Sequence, residues 1–448
     1  MRSEMEDGGE ERVFRPPPDS LNTDSLFSAS LFRRVPPSPP RSPLSAYPSR
    51  MSSPDRTARS AHETWLRELT SIPTAAGRED RVIAWVENWT ADRADLALRR
   101  DEAGNLVISI AGRERSAEPP ILFTAHLDHP AFHIDRVIAS GAVEASFRGG
   151  VMAPYFEQGR VIVHTDGARI PGVIVESEQG ELFRRCVIEL EGGAGEVAIG
   201  DIATWDLPDA RIEDGMLHAP ACDDLAAVAA ALSALDELRT QSPDRDIRIL
   251  LTRAEEVGFI GAIAACRLGT IPAGARVIAL ENSRSFAESP IGAGPIIRVG
   301  DRLSTFDPTL TSAIGKVAER LAGHHDRKVG DATPAPAPAF LWQRKLMPGG
   351  ACEATAFCAW GYTATCLCLP LGNYHNMGEL DRIQEAVLHG EKNIIARIAP
   401  EYISIDDYHG LIDLLIACGE SLGDVEPVLK RLEKLYEERA FVLGGAGD

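Results

Sequence analysis

Between residues 62 and 371, segments with helical spacing alternate with short apolar runs of strand length, and this alternation constrains the fold most. "ETWLRELTSIP" and "REDRVIAWVENWT" carry apolar residues at helical intervals, whereas "NLVISIAG" and "ILFTAHLDH" read as strands. The pattern resumes with a helix from about Leu225 to Leu238, strands "DIRILLT" and "ARVIALE", a helix over about 308–322 and strand "TATCLCLP". It predicts an α/β sheet. One stretch departs: between about 130 and 220, short alternating segments such as "GRVIVHT", "PGVIVESE" and "CVIELEGG" are broken by glycines and show little helical period. This predicts a β-rich insertion over 134–215 that divides one α/β domain into 61–133 and 216–420.

The flanks differ in texture. Residues 1–60 contain "FRPPPDS" and "RRVPPSPPRSP", with too little apolar surface to offset the entropy of ordering them, so a disordered tail is expected. It has no continuous apolar core of a secretory signal, and "PPSPPR" fits an SH3-ligand pattern that Pro-rich tails match by chance. Translation from Met51, just before the first helical pattern, is an alternative expectation. Residues 421–448 hold an amphipathic helix, "VEPVLKRLEKLYEERAF", suited to packing or oligomer contact.

The net charge of −20, from 46 basic and 66 acidic residues, argues against nucleic-acid or anionic-membrane partners, which reward a basic surface. No apolar run approaches the ~20 residues of a membrane span. Eight cysteines in no framework spacing favour reduced thiols in a cytoplasm, and Cys366 and Cys368 read as two buried thiols.

Five pieces fall at or near predicted strand ends: "TAHLDH", "ACDDLA", "RAEEVG", "ALENS" and "LGNYHNMG". That edge of an α/β sheet is where ligands bind. Singly each has an ordinary explanation: a core histidine at His126, helix caps at Asp223 and Asp224, the start of a helix at Glu255 and Glu256, a surface acid at Glu281. Together they offer two histidines and at least three carboxylates without a matching cysteine, a hard donor set suited to zinc, cobalt or manganese. Residues i and i+2 of a strand share a face, so Asp128 can lie beside His126 and fix its tautomer. Adjacent residues diverge, so one of Glu255 and Glu256 would hold metal and the other move protons.

These motifs resemble those of the tetrahedral (TET) deblocking or glutamyl aminopeptidases, dinuclear metallopeptidases of clan MH related to the acetylornithine deacetylases and carboxypeptidases. The resemblance spans roughly residues 62–420 and includes "GARIPGVI" and "AIGDIATWD", which look like the β-rich insertion of that group. It implies a mixed-sheet α/β/α metallopeptidase domain and two divalent ions per subunit, zinc first, with cobalt or manganese possible. It further implies that Asp223 bridges the ions, His126 and Glu281 complete one site, Glu256 and His375 complete the other, and Glu255 is the general base with Asp128 beside it. It also implies short peptide substrates, a homo-oligomer built through the insertion, and a cis peptide after Asp223. Several positions depart from the group: Glu281 replaces a usual Asp, Leu225 a basic residue, and "GGACEA" a Gly-Gly-Thr-Asp-like turn.

The leading expectation is removal of N-terminal residues from peptides. Rival readings are a carboxypeptidase or N-acyl-amino-acid deacylase of the same clan, a glycoside hydrolase with two carboxylates, and a non-catalytic assembly scaffold. The glycosidase leaves His126 and His375 without a purpose, and a degenerate scaffold would be expected to have lost ligands.

Overall fold

The computed structural model describes residues 56–443 except 114–115, 117, 140, 242–243, 324–338 and 424–427. The Pro-rich expectations and the Met51 start lie outside the described residues.

The chain opens with helices α1 (Arg56–Thr70) and α2 (Asp80–Ala91), then strands β1 (Leu96–Arg100), β2 (Leu106–Ile110) and β3 (Ile121–His126). Six strands follow, β4 (Ala131–Ala139), β5 (Ala142–Arg148), β6 (Arg160–His164), β7 (Arg169–Gln179), β8 (Arg184–Leu190) and β9 (Ile202–Trp205), and close into a barrel in the order β4-β5-β8-β7-β6-β9. Strands β10 (Arg211–Glu213) and β11 (Met216–Ala219) leave the barrel and lead into α3 (Leu225–Gln241). Next come β12 (Ile247–Thr252), α4 (Ile260–Leu268), β13 (Arg276–Arg284), β14 (Ile296–Gly300), α5 (Pro308–Leu321), β15 (Gln343–Leu346), α6 (Glu353–Ala359) and β16 (Thr363–Leu371). The chain ends with α7 (Leu380–Leu388), β17 (Glu401–Ser404), α8 (Ile405–Ser421) and α9 (Val428–Arg439); β17 pairs with β11 to complete a three-stranded sheet.

The main sheet has eight strands in the order β1-β2-β12-β3-β13-β16-β14-β15. Its centre, β12-β3-β13-β16, is parallel, while β2 runs antiparallel to β1 and β12, and β14 runs antiparallel to β16 and parallel to β15. Parallel strands must be covered on both faces. One face, with Phe123, Ala125, Ile249 and Leu251, packs under α3 and α8; the other, with Leu122 and Leu250, packs under α4 and α6. Helix α3, "LAAVAAALSALDELRTQ", is apolar nearly all round, and its alanines let it bury twelve residues between the sheet and its helical neighbours. The mixed-sheet α/β/α architecture expected from the sequence is the one observed. Cys366 and Cys368 are buried free thiols on β16, the Cys368 thiol pushed up to about 12 by burial.

The barrel has its own core, in which Phe132, Phe147, Phe156 and Trp205 meet at ring-centroid separations of 4.8–6.1 Å. Its segment after β5 reaches back to the main domain: Tyr155 Oη donates to Gly378 O at 2.7 Å. Gly149 (φ +137°) makes this path possible, because a Cβ there would stand 2.6 Å from Pro130. Among the described residues, no helix is long and apolar enough to cross a membrane.

Candidate metal centre

Because the four central strands are parallel, their C-terminal ends share one edge. Strand β3 delivers His126 there as its last residue. Strand β13 pairs with β3 only as far as Ala279 opposite Thr124, and continues alongside β16, so Glu281 stands on the overhang. His375 follows β16 in a turn with φ +54°. Asp223 and Asp224 lie between β11 and α3, joined by a cis peptide, as the resemblance implied. The Asp224 carboxylate accepts from His126 N at 3.2 Å, which ties this turn to the end of β3.

The donor atoms converge. His126 Nε2 lies 3.3 Å from Asp223 Oδ1, His375 Nε2 lies 3.4 Å from Asp223 Oδ2, and His375 Nε2 lies 3.3 Å from Glu256 Oε1. Each oxygen of Asp223 therefore faces a different histidine. Glu255 Oε2 is 4.0 Å from His126 Nε2. His126, Asp223, Glu255, Glu281 and His375 are all less than a tenth exposed.

Two strand-based expectations are corrected in their physical reason. Strand β12 ends at Thr252 and Ala254 has φ +53°, so Glu255 and Glu256 sit in a turn, not on a strand. They reach opposite histidines because the Asp128 carboxylate accepts both of their backbone N–H groups, at 2.9 and 3.1 Å. Gly258 (φ +111°) then turns the chain into α4, and Gly261 passes so close to Arg253 that a Cβ would stand 2.3 Å from its backbone. Asp128 likewise lies past the end of β3. It holds His126 through its backbone carbonyl, 3.0 Å from Nδ1, while its carboxylate is 3.4 Å away.

Both histidines are oriented from behind. His126 Nδ1 faces Asp128 O, and His375 Nδ1 faces Gly150 O at 2.7 Å, so each ring donates there and turns Nε2 to the centre. The sequence reading missed Gly150, which follows β5 of the barrel, and it missed Glu401. One Glu401 oxygen accepts from Cys222 N and Asp223 N and the other from His375 N. This buried carboxyl, pushed up to about 7 by burial, places Asp223 and His375 together. An acid inside the apolar "EYISI" was the available signal. His129, quoted within "TAHLDH" but given no role, spans Asp223 O and Asn376 Oδ1.

The residues fit divalent cations. His126 Nε2, Asp223 Oδ1, Glu256 Oε1 and Glu281 Oε2 are buried with no hydrogen-bond partner, although such groups are rarely left unpaired. The cluster is also overloaded with acid. Burial pushes the Glu255 and Glu281 carboxyls well above their usual range. Burial would lower the His126 imidazole, but the Asp128 and Asp223 carboxylates raise it well above its usual value. Such a centre must hold protons that cations would displace.

Comparison with known proteins follows the same residues. The M42 glutamyl aminopeptidase family model matches residues 104–185 and 191–345, a span containing His126, Asp128, Asp223, Glu255, Glu256 and Glu281. An aminopeptidase from the archaeon Desulfurococcus kamchatkensis is 22% identical with a TM-score of 0.63, over 81% of this chain and 95% of that one. The TET1 peptidase of Pyrococcus horikoshii, which can assemble into a tetrahedron or a large octahedral shell, is 20% identical with a TM-score of 0.61, over 80% and 99%. A TET aminopeptidase from a marine sediment archaeon of the Thaumarchaeota is 19% identical with a TM-score of 0.63, over 83% and 99%. With the fold shared by these structures and the family model reaching across more than half of its length, this chain belongs to the M42 glutamyl aminopeptidase family and is a metallo-aminopeptidase.

Proposed function

We propose that the chain removes N-terminal residues from short peptides with two divalent ions, zinc before cobalt or manganese. Asp223 would lie between them, with His126 and Glu281 on one side and Glu256 and His375 on the other. The observation that carries this reading is the set of four unpartnered donor atoms, which belong to four of these five residues. When bound, the ions would polarise the scissile carbonyl and acidify water near neutral pH.

The protein's own groups do the rest. Glu255, in the buried turn beside His126, takes the proton of the attacking water on its carboxylate and returns it to the departing amine. Its raised affinity for protons, caused by burial, suits a group that must hold one between the two steps. Asp128 keeps the roles of the glutamates apart by fixing both of their N–H groups. A cavity of about 140 Å³ beside Glu281, lined by Arg284, Phe286, Arg298, Met347 and Tyr374, would seat the side chain of the cleaved residue. The buried Arg298 guanidinium keeps its Nε without a partner, which favours an acidic side chain there. The barrel is proposed as an oligomer contact, supported by the exposed Val137, Ile138, Leu182 and Ile199.

Metal analysis with a panel of substrates tests this reading. Two equivalents of metal per chain are expected, released by a chelator together with activity, and glutamyl anilides should be cleaved faster than lysyl anilides. One equivalent at saturation would remove the bridging role of Asp223. Turnover confined to N-acetylated amino acids would point to the deacylase alternative.

A further inference from the structure

The turn that carries Glu255 is strained at the residue before it. Ala254 has φ +53°, a conformation that its methyl side chain does nothing to support. Such backbone persists only where its surroundings hold it. Asp128 accepts from the N–H groups of Glu255 and Glu256, but the Ala254 N–H goes to a residue with no part in the mechanism so far. Glu79 Oε1 accepts it at 3.0 Å and accepts Gly77 N at 2.7 Å, while Glu79 Oε2 accepts from Arg253 Nε at 2.7 Å.

Glu79 stands just before α2, where a side chain would ordinarily cap the helix, yet it makes no capping hydrogen bond. Its carboxylate is fully buried, which costs stability unless donors surround it. An ion pair with Arg253 would engage only Oε2; the other oxygen is turned to the backbone of the glutamate turn. The loop that presents Glu79 is itself anchored. Thr74 Oγ1 donates to Leu127 O at 2.9 Å, between His126 and Asp128, and Arg253 Nη2 donates to Gly77 O at 3.2 Å. From the barrel, Arg148 Nη1 donates to Ala76 O at 2.7 Å; Gly77 (φ +81°) leaves room for it, since a Cβ there would stand 3.1 Å from Nη1. We propose that Glu79 is a positioning residue for the base: by holding the Ala254 N–H and the Arg253 side chain, it aims the Glu255 carboxylate at the attacking water. This rests on the reading of Glu255 as the general base.

A double-mutant cycle with Glu255→Gln gives the test, read as peptide turnover by the full-length chain at saturating metal. Glu79→Ala should lower kcat about 10²-fold, with KM within about threefold and metal content unchanged, because a displacement of about 1 Å at a reacting group costs that much. In Glu255→Gln, where no base remains to be aimed, adding Glu79→Ala should cost less than about threefold. Glu79→Gln keeps an oxygen for the Gly77 and Ala254 N–H groups and gives up the charge facing Arg253, so it should lower kcat only about tenfold. It carries the same cycle if the alanine variant does not fold. A merely structural role would lower the thermal midpoint and leave kcat per folded molecule as it was. That result overturns the proposal, as does an equal loss with and without Glu255, or a loss that excess metal reverses. Full turnover in Glu255→Gln alone would reject the base itself, and the proposal with it.

Discussion

Two buried clusters lie on either side of the segment Gly149–Tyr155 and answer to opposite demands. In the barrel, Phe132, Phe147, Phe156 and Trp205 pack ring against ring, and burying them stabilises the fold. At the strand edge, His126, Asp223, Glu255, Glu281 and His375 are as deeply buried, yet carry charge and leave donor atoms unpaired. Burial of such groups costs stability unless something completes them. The first cluster explains itself by folding; the second is intelligible only with a ligand. The two touch through Gly150, whose carbonyl fixes the ring of His375.

The largest break in this comparison should come from a change that removes activity and spares the fold. Glu255→Gln is expected to lower turnover about 10³-fold while metal content by elemental analysis stays at the level of the unaltered protein. Thermal stability should hold or rise, because a buried carboxylate without a hydrogen-bonded cation partner has been neutralised. Glu256→Gln should do the reverse, retaining the base and losing metal from one site. If the Glu255 variant proves the metal-poor one, the two roles must be exchanged.

In the barrel the balance should invert. Phe147→Ala removes a ring held between Phe132, Phe156 and Trp205 and should destabilise the protein by roughly 3–5 kcal/mol. Well below the unfolding midpoint, turnover per folded molecule should remain near that of the original chain. A loss of kcat in the folded fraction would show that the barrel core sets the position of Gly150, and that the two clusters are one mechanical unit.

The architecture was legible because its determinants are local: helical and strand periodicity over "RVIAWVENW" and "ILLT", and polar residues placed where apolar runs stop. The convergence of His126, Glu255, Glu256 and His375 could be anticipated for the same reason, since parallel strands end together, whereas Asp223 follows β11 of the three-stranded sheet and reaches the centre from outside that edge. The supporting groups were not legible. Gly150 O and Asp128 O act through the backbone, which has no sequence signature, and Glu401 comes from β17, a strand outside the main sheet. Glu255 and Glu256 diverge without lying on a strand, because Ala254 has already left the strand conformation.

The smallest expected effect sharpens the contrast through one residue type. At the strand edge, burial would lower the His375 imidazole, but Glu256 and Asp223 raise it well above its usual value. In the barrel, His164 is pushed down to about 3 by burial, helped by Arg81 and Arg169, and its Nε2 meets only the Thr204 hydroxyl, 2.9 Å away. In the unfolded chain this ring takes a proton near pH 6.5; in the folded chain it does not until about 3. Acid therefore favours unfolding. The contribution of His164 is fully present above about pH 6.5 and declines toward pH 3, at about 1.4 kcal/mol per pH unit for this group alone. Urea unfolding at about pH 7 and about pH 5 should show the original chain losing roughly 2 kcal/mol more than His164→Asn, which stays neutral throughout. Part of the slope should survive in the variant, because burial also holds His62 down at about 4. Equal slopes in the two proteins would mean that His164 is protonated within the folded barrel, which its apolar surroundings and neighbouring arginines oppose.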